Sequence, residues 1–142
     1  MTIDHERVLH KTAFIKEQTA SLRKLLAEKT REEIINDPWI LKGIKYTLQT
    51  AVEACIDLAY HLCAKKLGHA PADSRDAFKS LAAREIIPES DLEIYSAMIG
   101  FRNRVVHGYQ DVAEEQIYKI AQENLHDLDR FSELVLKAVR EN

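Results

Sequence analysis

The sequence predicts an all-α fold, an up-and-down bundle of about five helices forming one domain over residues 1–142. Three observations carry that prediction. Apolar residues recur every three or four positions through most of the chain, and no stretch alternates as a half-buried strand does. With only four Gly and three Pro, the composition is that of a loop-poor, mainly helical protein. Apolar residues make up 46% against 30% charged, the balance of a folded chain, and 142 residues bury one proper core but not two comfortable ones.

The first helix is predicted from about residue 4 to 29, where Val8, Leu9, Ala13, Phe14, Leu22, Leu25 and Leu26 recur at helical spacing between charges. A polar interruption follows from Glu28 to Glu33. Asp37 then offers an N-cap and Pro38 the first helical position, opening a second helix with a broad stripe from Leu41 through Leu62. Gly68 should end it. The segment G-H-A-P-A-D-S-R-D reads as a loop, with Asp73 capping a short third helix that carries Phe78, Leu81 and Ala82 and with Asp76 three positions on. Pro88 closes that connection. A fourth helix runs from near Ser90 through Leu92, Tyr95, Met98, Ile99 and Arg102 and should stop near Val106, with Gly108 free to turn left-handed. A fifth begins at Asp111, which with Glu114 completes a capping-box pattern, carries an apolar series from Ile117 to Ala138 and runs almost to the C-terminus.

The net charge of −3 gives no general attraction for a polyanion, so nucleic-acid binding requires a local basic site. The opening residues M-T-I-D-H-E-R-V-L-H carry charges from the fourth position on and form no long apolar run, and no stretch approaches the roughly 20 apolar residues of a membrane span. The expectation is a soluble, cytoplasmic protein. Cys55 and Cys63 lie eight positions apart on one helix, about 12 Å of rise, too far for a disulfide. Both read as small core residues of a reduced compartment.

One junction is unusual. Between the fourth and fifth helices the chain reads F-R-N-R-V-V-H-G-Y-Q-D, placing an arginine, a histidine and a phenol within eight residues. As a helix end this is unremarkable: His107 suits a C-terminal dipole and Tyr109 could pack back on the last turn. In a continuous helix, however, Arg102 and His107 point about 140° apart. They converge only if the chain leaves helical geometry between them, or if a second subunit completes the site. Together they suit RNA cleavage through the ribose 2′-hydroxyl, which needs only proton transfer and charge stabilisation and no metal. Histidine, with an ordinary pKa of about 6.5, supplies the first, worth roughly 10²- to 10⁴-fold in rate. Arginine supplies the second through a planar, always charged fork. One histidine leaves the opposite proton transfer unassigned, and a two-fold dimer would provide it.

The string R-N-R-V-V-H-G-Y resembles the R-x-x-x-x-H-x-Y signature of the HepT-like toxins of the HEPN superfamily of small helical ribonucleases. L-Q-T-A-V-E-A-C-I-D-L-A-Y-H, S-R-D-A-F-K-S-L and M-I-G-F-R-N-R-V-V-H-G-Y are similar to the family's pattern at the same relative places, so the resemblance runs from about Asp37 onward. It implies a HEPN-like bundle and a homodimeric, metal-independent endoribonuclease, the toxin of a prokaryotic type VII HEPN/MNT toxin–antitoxin pair, with no cofactor. Arg102 and His107 would be catalytic, Asn103 supporting, and Tyr109 the residue to which a minimal nucleotidyltransferase antitoxin transfers AMP. An adenylate beside Arg102 would bring charge and bulk to the RNA phosphate's place.

Other polar groups have simpler readings. Glu53, Asp57 and His61 fall at i, i+4 and i+8 on the second helix, a spacing that can hold a metal but reads better as a polar stripe pairing with basic residues or bordering the dimer cleft. Within the family resemblance, Glu53 or Asp57 would orient the catalytic groups. His5, His10, His69 and His126 read as surface or cap residues. Arg23, Lys24, Lys29 and Arg31 read as a solvated helix end before an RNA or antitoxin contact. Trp39 reads as a core or staple residue, and an exposed Trp39 would instead signal an interface. The competing function is a non-catalytic helical dimer that binds a nucleotide or a nucleotidyltransferase, with Arg102 and His107 as phosphate ligands.

Overall fold

The computed structural model describes residues 2–108 and 112–141, and every regular element among them is helical. There are seven α-helices: α1 His5–Glu28, α2 Arg31–Ile35, α3 Pro38–Lys65, α4 Ser74–Ala83, α5 Leu92–His107, α6 Glu114–Glu123 and α7 Leu125–Arg140, with a 3₁₀ turn at Glu89–Asp91 leading into α5. The count of about five is therefore corrected in two places. Glu28 to Glu33 is not simply an interruption, because Thr30 and Glu33 close a reciprocal capping box that starts α2. The predicted fifth helix is two, divided at Asn124, whose backbone leaves helical geometry and whose side-chain amide donates to Asp127 at 2.9 Å. Its start also moves: α6 begins at Glu114 after Ala113, and Asp111, the expected cap, lies outside the described residues.

Caps set the other helix starts much as their residue types dictate. Asp37 accepts from the backbone N–H of Trp39 and Ile40 in front of Pro38, and Asp73 accepts from Asp76 N–H. Asp76 spends its own carboxylate on the Ala72 N–H at 2.9 Å and on His69 at 3.2 Å, and the Ala72 bond first, then His69, holds it below the usual carboxylate range. Gly68 lies past the end of α3 with φ at 61°.

The seam of α1 differs from the expected one. Leu9 is 61% exposed and Ala13 is also on the surface, while Val8, Thr12, Ile15, Thr19 and Leu22 face the core. The spacing 8-12-15-19-22 is a regular inward stripe that two threonines conceal. Their hydroxyls are satisfied: Thr12 donates to the Val8 carbonyl at 2.9 Å and Thr19 to Asp129 at 2.7 Å.

Cross-helix pairs define the packing. Asp4 meets His61 and Lys11 meets Asp57, so α1 runs antiparallel to α3, and Lys16–Glu133 with Arg23–Asp129 sets α1 antiparallel to α7. Phe78 of α4, Tyr95 of α5 and Phe131 of α7 form a triangle of rings with centroids 5.0 to 5.4 Å apart, which locks α5 onto the bundle. Cys55 and Cys63 are free and buried on α3, and burial pushes both thiols up, as befits core residues rather than reactive ones.

His61 is only 7% exposed and its Nε2 accepts the Asp4 N–H at 3.0 Å, tying the start of α1 to α3. Burial, with Arg7 nearby, lowers its pKa from 6.5. The folded protein therefore takes up this proton less readily than the unfolded chain, so the stabilisation is complete above about pH 6.5 and is lost as pH falls through the lower folded value. The melting temperature is expected to drop between about pH 7.5 and pH 5.5, and His61→Gln should flatten that slope. An unchanged slope in the variant would place the acid sensitivity elsewhere.

Candidate active site

The polar stripe on α3 resolves into three separate contacts. Glu53 meets Arg102, Asp57 meets Lys11 at 2.9 Å, and His61 meets the Asp4 backbone. No group of three His, Cys, Asp or Glu side chains among the described residues stands close enough to share a metal ion. The stripe thus pairs with basic and backbone groups on neighbouring elements.

Arg102 sits near the end of α5 on the face turned to α3. Its Nε donates to Glu53 Oε2 at 3.0 Å, Nη2 lies 2.9 Å from the same oxygen, and Nη1 donates to Asn103 Oδ1 at 3.3 Å. Both members of the ion pair are about 30% exposed, neither fully desolvated nor free in solvent. An arginine carries five N–H donors, so this clamp leaves two of them to grip an anion from the open side. That side is a depression of about 320 Å³ lined by Glu53, Ile56, Asp57, Ser74 and Arg102. A second depression, bordered by His10, Lys11, Phe14 and Thr50, adjoins it across Glu53 and Asp57. A larger hollow of about 540 Å³ between α5 and α6 contains neither Arg102 nor His107, and its lining mixes Ile94, Met98 and Ile120 with Glu93, Gln116 and Lys119.

His107 occupies the last turn of α5 and is exposed. The helix stop expected near Val106 falls one residue on: α5 continues through Val105 and Val106 to His107, and Gly108 turns left-handed as expected, with φ 65° and its N–H donating to the Arg104 carbonyl at 3.1 Å. Each valine costs the helix only some tenths of a kcal/mol, and Val105 packs on the core, so packing outweighs propensity. Arg102 and His107 therefore stay on one continuous helix, about 140° apart and about 7.5 Å along its axis. Of the two routes to convergence, a break in the helix is closed. Tyr109 lies outside the described residues, as do Gln110 and Asp111.

Other expectations sort clearly. In the basic cluster, Arg23 pairs with Asp129, and Arg31 pairs with Glu115 while its guanidinium lies 6.0 Å from the Tyr118 ring. Those two arginines join helices, and Lys24 and Lys29 are exposed. Trp39 is corrected from core or staple to surface: it is 79% exposed, with Lys42 Nζ 4.7 Å from its ring centroid. Tyr46, one heptad on, is 65% exposed. Trp39, Gly43, Tyr46, Thr50, Glu53 and Asp57 step by four and three residues, so this exposed face runs directly into the acid that holds Arg102. Sequence reasoning missed Lys11 and Ser74, which reach the site from α1 and from the start of α4. Only the tertiary packing brings them there.

The same bundle recurs in a solved structure of the tri-AMPylated Shewanella oneidensis HEPN toxin in complex with MNT antitoxin, with a TM-score of 0.82 at 28% identity, covering 93% of this chain and 97% of that one. The architecture is that of a HEPN toxin. Residues 15–135 match the family described as Ribonuclease HepT-like, and the chain belongs to that family. The match reaches back into α1, beyond the region where the sequence resemblance begins. Among relatives, the chain is 27% identical over 128 residues to the mRNA nuclease HepT of Shewanella oneidensis, spanning 90% of this chain and 95% of that protein. It is also 27% identical over 109 residues to a putative RNase of Archaeoglobus fulgidus, spanning 77% and 79%.

Proposed function

We propose that this protein is the metal-independent endoribonuclease toxin of a type VII HEPN/MNT toxin–antitoxin pair and acts as a homodimer. The observation that carries the proposal is Arg102 held side-on by Glu53 and Asn103 at the edge of a depression, on the same helix as the outward-facing His107. Because one continuous helix keeps the two apart, the composite site forms at a cleft between two copies, each contributing both residues. One His107 takes the proton of the ribose 2′-hydroxyl as its oxygen attacks phosphorus. The guanidinium of Arg102 offsets charge on the phosphorane, and His107 of the second copy protonates the departing 5′-oxygen. The products are a 2′,3′-cyclic phosphate and a free 5′-hydroxyl. Asn103 fixes one guanidinium nitrogen. Tyr109, two residues beyond His107, is the acceptor for AMP from a cognate nucleotidyltransferase antitoxin, and the added phosphodiester places negative charge where the substrate phosphate must bind.

The test is cleavage of RNA by purified protein in excess EDTA, with analysis of the new ends. Cyclic phosphate or its 3′-phosphate hydrolysis product is expected, and 3′-hydroxyl ends would remove the role given to the ribose. Co-expression with the antitoxin should add AMP to the wild-type protein and not to Tyr109→Phe. A protein that binds the antitoxin tightly yet never cuts RNA would establish the non-catalytic dimer instead.

A further inference from the structure

Two arginines outside this constellation meet on α5. Arg75, in the first turn of α4, reaches across so that Nε donates to the Ser96 hydroxyl at 2.8 Å and Nη2 to the Ser96 carbonyl at 3.1 Å. Arg104 rises from α5 itself. Their guanidinium groups end over Gly100: Arg75 Nη2 stands 3.4 Å and Arg104 Nη1 3.6 Å from where a Cβ on that glycine would lie, which sets the two nitrogens no more than about 7 Å apart. Neither forms an ion pair with a carboxylate among the described residues. Like charges this close repel. Ser96 pins one of them in place, and Lys79 adds a further cation to the groove that Arg75 borders. Such a site favours an anion with several oxygens, which two planar forks can share.

Its position gives the anion a role. Gly100 and His107 are seven residues apart, so they project within about 20° of one another, and Arg104 precedes His107 by nearly one turn. We propose that Arg75 and Arg104 form a second phosphate subsite, which holds a backbone phosphodiester of the RNA strand next to the scissile one, on the face of α5 that carries His107. The proposal rests on the ribonuclease reading and extends it: Arg102 faces the reacting phosphate, while this pair fixes the path of the flanking strand. It also supplies the local basic site that a chain of net charge −3 needs to hold RNA.

Binding of a fluorescently labelled single-stranded RNA to His107→Ala protein, titrated over a range of salt, reads the subsite without cleavage. Adding Arg75→Gln and Arg104→Gln together should weaken binding about tenfold at low salt and reduce the slope of log K against log salt by about 0.7, the loss of one phosphate contact on a single strand. In the active protein the same pair of changes should raise KM. The single lysine variants, which keep charge but lose the fork, should fall between. Both arginines are at least partly solvent-exposed, and matched melting temperatures confirm that the fold is retained. Unchanged affinity and salt slope, with wild-type cleavage intact, would overturn the subsite alone. Unchanged RNA behaviour with lost binding to the nucleotidyltransferase would also overturn it, assigning the pair to an acidic protein surface. Wild-type protein that neither binds nor cuts RNA would overturn the ribonuclease reading as well.

Discussion

His107→Ala protein is expected to cleave RNA about 10²- to 10⁴-fold more slowly than wild type, the range associated with losing one general acid–base. The side chain is exposed on the last turn of α5, so the variant is expected to lose only about 1 kcal/mol of stability, too little to account for the loss of rate. If the site is composite, as proposed, the variant is informative in mixtures. A tenfold excess of His107→Ala protein, allowed to exchange subunits with wild type, should leave about a tenth of the wild-type activity, because nearly every wild-type chain is then paired with an inert one. Arg102→Ala should poison wild type in the same way. If the mixtures retain full activity, each protomer carries a complete site and the continuous helix is no obstacle to it.

Glu53→Ala is expected to reduce kcat/KM by about 10²-fold, the scale set by misplacing a catalytic group by about 1 Å. In the proposed mechanism Glu53 acts as a positioning residue, because its carboxylate contacts Nε and Nη2 of Arg102 and leaves other guanidinium donors for the substrate. Glu53→Gln keeps one acceptor and should lose only about tenfold. The ion pair is partly solvated, so the stability cost of the alanine variant should stay near 1 kcal/mol or less, too small to explain the loss of rate. Tighter RNA binding with an undiminished rate would show that the carboxylate competes with phosphate for the guanidinium, reversing the assigned role. Asp57→Ala offers the comparison, since its carboxylate is engaged by Lys11 instead. Of the two acids that the stripe offered as orienters, the packing puts Glu53 on the arginine.

The parts of this fold legible in the sequence are those decided by local chemistry. Asp37 before Pro38 and Asp73 before Ser74 cap their helices because a carboxylate two or three positions upstream satisfies an orphan N–H wherever the chain turns helical. Gly108 ends α5 because it bears the left-handed conformation without strain. What could not be read depends on partners distant in sequence. Thr19 lines the core because Asp129, 110 residues away, satisfies its hydroxyl. At the site, the motif arginine was recognisable from its neighbours in the chain. Its contact with Glu53, 49 residues distant, required the bundle.

Trp39 is the chain's single tryptophan, and it stands 79% exposed on the same face of α3 as Glu53. An indole already in water changes its emission little when a protein unfolds, so this chromophore is nearly blind to folding. It responds instead to whatever covers that one face, and its fluorescence shift and quenching register contact at a surface continuous with the candidate active site. The protein thus carries, at a fixed address on its own helix, an optical label for contact at that face that requires no dye and no substitution.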